Sequence, residues 1–214
     1  MSNIVSKYNT LIENALYKAE NHLTKLTEKQ FNLEGMSSNK TRIFLNELIF
    51  LGSNYLEIGV YKGSTFISAL YNNNHANAVA IDNFSQFDGL FTDFINNCVE
   101  NELKNCRFII NDCFNLNSKE TEIIKNNKFD IYLYDGDHYP DSQRKALTYY
   151  INDLSDIFIY MVDDWNWVEV QEGARMGIKD VNVKVHKEWV LPARYNGDTE
   201  NWWNGFYVAI LEKQ

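Results

Sequence analysis

The chain has 214 residues and a formal net charge of −9 with both signs interspersed, so it offers no basic stripe for a phosphate backbone and argues against a nucleic-acid partner. Hydrophobic residues make up 45% and aromatic residues 14%, enough for one sizeable core, whereas two prolines and ten glycines leave little room for linkers or low-complexity tails. No stretch is apolar enough to span a bilayer, and residues 1–20 lack the basic start and apolar run of a signal peptide, so a cytoplasmic protein away from membranes is expected.

Apolar residues from Ile4 and Val5 through Tyr8, Leu11, Ile12, Ala15, Leu16, Ala19, Leu23 and Leu26 keep helical spacing and predict one long amphipathic helix. Gly35 breaks that pattern, and a second helix starts after Ser38 or Asn39 as cap, carrying Ile43, Phe44, Leu45, Leu48 and Ile49. Residues 1–50 thus read as a helical extension packed on a core domain of residues 51–214. The amphipathic first helix suits packing on its own domain or on a second subunit, which leaves a homodimer open.

From Asn54 onward short apolar runs alternate with helical stretches, as in a parallel sheet covered on both faces. Strands are expected at Tyr55–Ile58, Ala78–Asp82, Arg107–Ile110, Asp130–Tyr134 and Ile157–Val162, with helices near 64–73, 87–104, 118–126 and 140–153. Pro140 suits a first helical turn, where its missing donor costs nothing. After a helix near 167–180, strands at Val183–Val190 and Phe206–Glu212 should pair as an antiparallel hairpin. The expected fold is therefore α/β, a Rossmann-like, doubly wound sheet of seven strands, mostly parallel, with N-terminal helices. Cys98, Cys106 and Cys113 lack metal-ligand spacing and read as reduced, partly buried thiols.

Three segments carry chemistry. In the first, Leu56-Glu57-Ile58-Gly59-Val60-Tyr61-Lys62-Gly63-Ser64-Thr65, a strand runs through a glycine turn into a helix whose free amides can hold a carboxylate or phosphate. In the second, Asp82 ends the next strand, where a carboxylate can accept hydrogen bonds from both ribose hydroxyls of a nucleoside or, alternatively, cap the following helix. In the third, Tyr134-Asp135-Gly136-Asp137-His138-Tyr139 ends the fourth strand and Asp163-Asp164-Trp165-Asn166-Trp167 ends the fifth. These strand ends are neighbours in the expected topology. Asp135, Asp163 and Asp164 can converge there, and three carboxylates without sulfur suit a hard cation, magnesium before calcium or zinc. The plain reading, a turn at Asp135-Gly136 and a cap at Asp163-Asp164, explains each pair separately but not their placement at adjacent strand ends.

Glu57-x-Gly59-x-x-x-Gly63, followed by Asp82 and then by Asp112 after a third strand, resembles the S-adenosylmethionine-binding motifs of class I methyltransferases. From about Met36 to the C-terminus the chain is similar to metal-dependent O-methyltransferases, those of catechols and of macrolide and aminocoumarin sugars. The resemblance implies that Met36 lies over the cofactor, that Gly59, Tyr61 and Thr65 meet its methionine part, that Asp82 holds the ribose, and that Asp112 and Cys113 sit at the adenine edge. It also implies metal ligands at Asp135, Asp163 and Asp164, and a base at Asp137 or His138. Magnesium-assisted methylation of a small molecule with adjacent hydroxyls, sugar-like or catechol-like, is the expected activity. The pair Asp163-Asp164 agrees with the sugar enzymes, whereas Leu154-Ser155-Asp156 departs from the Pro-Gly-Gly turn of most relatives. Trp165 and Trp202-Trp203 are candidates for the acceptor wall, although the latter pair reads more readily as core anchors, and Lys40-Thr41-Arg42 reads as a solvated helix start from which Arg42 could reach an acidic acceptor. Two other classes share part of this pattern: a nicotinamide-dependent oxidoreductase and a non-catalytic adenosylmethionine binder.

Overall fold

Side chains along the apolar runs alternate sides with period two, which buries a sheet on both faces when each face is covered by helices. The computed structural model, which describes residues 3–74, 76–87 and 91–214, has that arrangement. Among the described residues the helices are α1 (Asn3–Glu20), α2 (Glu28–Phe31), α3 (Asn39–Leu48), α4 (Ser64–Leu70), α5 (Phe91–Glu100), α6 (Ser118–Lys125), α7 (Pro140–Tyr150) and α8 (Val168–Asp180). The strands are β1 (Asn54–Ile58), β2 (Asn77–Asp82), β3 (Cys106–Ile110), β4 (Phe129–Tyr134), β5 (Leu154–Val162), β6 (Val183–Leu191) and β7 (Phe206–Lys213).

The sheet order is β3-β2-β1-β4-β5-β7-β6. Strands β1 to β5 are parallel, and β7 runs antiparallel between β5 and β6, so the expected mostly parallel sheet with a C-terminal antiparallel hairpin is the observed one. The order reverses at β1, between β2 and β4, which opens a crevice beyond the carboxyl ends of these strands. One face of the sheet presents Tyr55, Leu133 and Met161 to Ile12, Phe44 and Phe66 of the helices α1, α3 and α4. The other presents Leu56, Tyr132 and Phe158 to Ile124, Leu147 and Ala174 of α6, α7 and α8. No helix among the described residues is long and apolar enough to cross a membrane.

Two helices end earlier than their apolar spacing predicts. Helix α1 stops at Glu20 rather than near Leu26, because His22 takes a left-handed conformation (φ 52°), with Leu23 N bonded to Lys18 O and His22 N to Ala19 O. That pair of bonds is a Schellman closure, which ordinarily recruits glycine. Helix α5 closes identically, with Glu102 left-handed and Leu103 N bonded to Cys98 O. The expected start of α5 near 87 runs into residues 88–90, which lie outside the described residues, as does His75. Strand β5 begins at Leu154, earlier than expected, because Leu154 pairs with Phe129 and Ser155 Oγ donates to Asp130 Oδ1. The segment that replaces the Pro-Gly-Gly turn is thus already sheet. All three cysteines are free thiols, Cys98 buried and the other two half-buried.

Candidate active site

A cavity of about 750 Å³ lies beyond the carboxyl ends of the parallel strands, and every one of β1 to β5 delivers a residue to its wall: Gly59, Asp82, Asp112, Asp135 and Asp163. Met36, Tyr61 and Cys113 line it too. Three residues expected at the cofactor lie behind that wall. Glu57 is fully buried between the Tyr55 hydroxyl and Thr65 Oγ1, which donates to it over 2.5 Å, and burial pushes its carboxyl up to about 7. Gly63 sits in a left-handed conformation (φ 89°) at the cap of α4, where a Cβ would press on Ile67 and Phe94.

Gly59 also has positive φ (85°), and a Cβ there would overlap the Asp135 carbonyl, so the absence of a side chain first serves to close β1 against the β4 turn. Tyr61 is left-handed (φ 47°), which is uncommon for a bulky residue and needs outside support. Asp82 supplies it. Its Oδ2 accepts from Val60 N (2.8 Å) and Tyr61 N (2.9 Å), while Oδ1 accepts from Phe84 N (2.7 Å). A carboxylate has about four acceptor positions, so one remains for a ligand. At the β3 end, Asp112 is exposed and Cys113 half-buried, with burial pushing the Cys113 thiol up to about 12.

The acidic strand ends do meet. One donor atom from each of Asp135, His138 and Asp164 lies within 4.8 Å of the others. The trio differs from the expected Asp135, Asp163 and Asp164 in having His138 in the place of Asp163, with His138 Nε2 2.7 Å from Asp164 Oδ2. Asp163 is 5% exposed, and its Oδ1 is buried without a hydrogen-bond partner among the described residues. Burial and the neighbouring carboxylates raise the pKa of both Asp135 and Asp163, while the bond to Asp164 raises that of His138. Asp164 is left-handed (φ 56°), held by Asn204 Nδ2, which donates to its Oδ1 over 2.6 Å. Asp137 also lines the cavity, with Oδ2 accepting from Ser142 Oγ (2.6 Å).

No protein-family model matches the chain, and no curated protein matches its sequence. Solved structures do match. An O-methyltransferase of Bacillus cereus in complex with S-adenosylhomocysteine superimposes with a TM-score of 0.60 at 14% identity, over 96% of this chain and 100% of that one. A precorrin-6y C5,15-methyltransferase of Geobacter metallireducens gives 0.57 at 12% identity, over 86% and 91%. A tRNA methyltransferase of Bacillus subtilis gives 0.53 at 16% identity, over 86% and 68%. The fold is a methyltransferase fold.

Within that fold, the tryptophans divide differently from the sequence reading. Trp165 does not line the cavity: it is buried and stacked on Tyr207, with centroids 4.1 Å apart, and Arg175 lies over both rings. Trp167 takes its place on the wall, edge-on to His138 at 4.5 Å. Trp202 is a core anchor against Phe44 and Phe206, whereas Trp203 lines the cavity. Asn196, Gly197 and Asn204 of the loop joining β6 to β7 complete that wall, and nothing in their sequence marks them beyond a turn composition.

Proposed function

We propose that this chain transfers a methyl group from S-adenosylmethionine to a hydroxyl oxygen of a small molecule bearing adjacent hydroxyls, with a divalent cation, magnesium first, at the acidic strand ends. The observation that carries the reading is the convergence of Asp135, His138 and Asp164, with Asp163 beside them, on the wall of the same cavity that Gly59, Asp82 and Asp112 line. The buried, unpartnered Oδ1 of Asp163 fits a cation, because a buried acceptor without a partner is otherwise costly. The carboxylates of Asp135 and Asp164 in the cluster, with that of Asp163 beside it, offer oxygen donors that suit magnesium, and His138 serves as a nitrogen donor or as the partner that orients Asp164. The net charge of −9 and the acidic cavity favour a small acceptor over RNA.

The chain's own residues would divide the work as follows. Met36, Tyr61, Asp82 and Asp112 hold the methyl donor, with the remaining acceptor position of Asp82 directed to a ribose hydroxyl. Asp135, Asp163 and Asp164 hold the cation, which when bound lowers the pKa of a coordinated hydroxyl. Asp137 receives the acceptor's proton: one of its oxygens is fixed by Ser142, while His138 Nε2 is engaged by Asp164. Trp167 and Trp203 flank the acceptor and fix its approach, so that positioning supplies much of the acceleration.

The test is calorimetry with S-adenosylhomocysteine and with nicotinamide dinucleotide in parallel, then mass spectrometry of methyl transfer to a library of vicinal diols with magnesium or with chelator. Binding of the first ligand alone and magnesium-dependent transfer are expected, and Asp163→Ala should abolish turnover while leaving adenosylhomocysteine affinity nearly intact. Preferential binding of the dinucleotide would overturn the reading, and full activity of the variant in chelator would overturn its metal part.

A further inference from the structure

A second cavity, of about 830 Å³, lies beside the first. Trp203 lines both, and the N-terminal turn divides them: Met36 faces the first, while its neighbours Gly35 and Ser37 line the second. The wall of the second cavity contains Arg42, on α3, a residue only 3% exposed. Its guanidinium makes three hydrogen bonds to neutral acceptors, Nε to Ser37 Oγ (3.0 Å) and Nη1 to the carbonyls of Gln30 (2.8 Å) and Phe31 (3.0 Å). Among the described residues Nη2 has no hydrogen-bond partner, and no carboxylate pairs with this guanidinium. Burial pulls Arg42 down to about 10, so it remains a cation. The two carboxylates on the same wall are committed elsewhere, Glu34 to Lys62 and Glu200 to Arg194, each at 2.7 Å.

A buried cation without a counter-charge is expensive, and the two unused N–H donors of Nη2 are placed to bond the oxygens of a carboxylate or phosphate. The chain's net charge of −9 and the acidic first cavity would repel an anionic acceptor unless a fixed cation held it. We propose that Arg42 anchors an anionic group, carboxylate or phosphate, of a ligand that occupies the second cavity and extends past Trp203 into the first. In this position the ligand is the methyl acceptor, an identification that rests on the function proposed above, whereas the anion site itself does not.

The test uses the full chain labelled with ¹⁵N-arginine. Acetate, inorganic phosphate and, as the neutral control, acetamide are titrated while the Arg42 Nε–Hε resonance is followed by NMR, and adenosylhomocysteine binding is measured in parallel by calorimetry. A saturable shift of that resonance with acetate or phosphate, and none with acetamide, is expected. The tighter of the two anions names the group. Arg42→Lys, which keeps the charge, should retain anion binding with affinity weakened roughly tenfold, and Arg42→Met should lose it, both with adenosylhomocysteine affinity unchanged. Equal response to acetamide, or no saturable response to either anion in the unaltered chain, overturns the proposal without recourse to a variant. An anion response together with failure to bind adenosylhomocysteine would keep the site and remove the methyltransferase reading.

Discussion

His138 Nε2 lies 2.7 Å from Asp164 Oδ2, so one carboxylate at the crossing of β4 and β5 is already joined to the imidazole beside it. That bond raises the His138 pKa, and the protonated imidazole competes with a metal ion for the same oxygen. Magnesium affinity should therefore fall as pH drops through the His138 titration, about tenfold per pH unit for one displaced proton. Calorimetry from acid to neutral pH in the unaltered chain and in His138→Gln checks this. The variant should lose the steep part of the profile, and an unchanged slope would show that His138 does not set it.

Glu57 predicts a stability profile. Its folded-state carboxyl titrates at about 7, above its ordinary value near 4.5, so between these values the folded chain holds a proton that the unfolded chain has lost. Stability is fully present below the unfolded pKa and falls as pH rises through the folded one, by on the order of 3 kcal/mol from this group. Asp135 and Asp163, also raised, act in the same direction when no cation is present. In chelator, urea midpoints of the unaltered chain should fall over this range, and Glu57→Gln should flatten the fall. A parallel slope in the variant would contradict the assignment.

Gly59 and Gly197 share a left-handed conformation but not a neighbourhood. A methyl group at Gly59 would overlap the Asp135 carbonyl, whereas at Gly197 nothing stands within 4 Å. Gly197→Ala should cost about 1 kcal/mol, the backbone term alone. Gly59→Ala should cost more than about 3 kcal/mol, because the β1 and β4 ends must separate. Chemical unfolding of both variants decides, and equal costs would mean that the overlap is relieved without strain.

The strands were legible in the sequence because short, nearly continuous apolar runs alternating with helical stretches mark a sheet covered on both faces, as at Tyr55–Ile58 and Asp130–Tyr134. Helix ends were less legible. At His22 and Glu102 the left-handed closure uses residues that carry no signature of it, and the apolar spacing runs on past the true stop. Of the acidic cluster, Asp135 and Asp164 could be anticipated from the topology, but His138 stands in the place expected for Asp163, which depends on how the turn after β4 folds back onto Asp164. Trp165 and Trp167 are two positions apart, and only the turn geometry decides which reaches the core and which the cavity. The role of Asn196, Gly197 and Asn204 depends on the path of a loop, which local composition does not encode.

Because β7 is inserted antiparallel between β5 and β6, Val162 and Tyr207 stand opposite one another, and the loop from β6 to β7 lies at the same end of the sheet as the acidic strand ends, where Asn196, Gly197, Trp203 and Asn204 line the first cavity. The segment 192–205 is thereby tethered at both ends to rigid strands while its middle shapes the two cavities. A graft of another sequence between the same two strands would remodel the outer walls and, unless it kept an amide at the position of Asn204, would also release Asp164 from the conformation that turns it into the cavity.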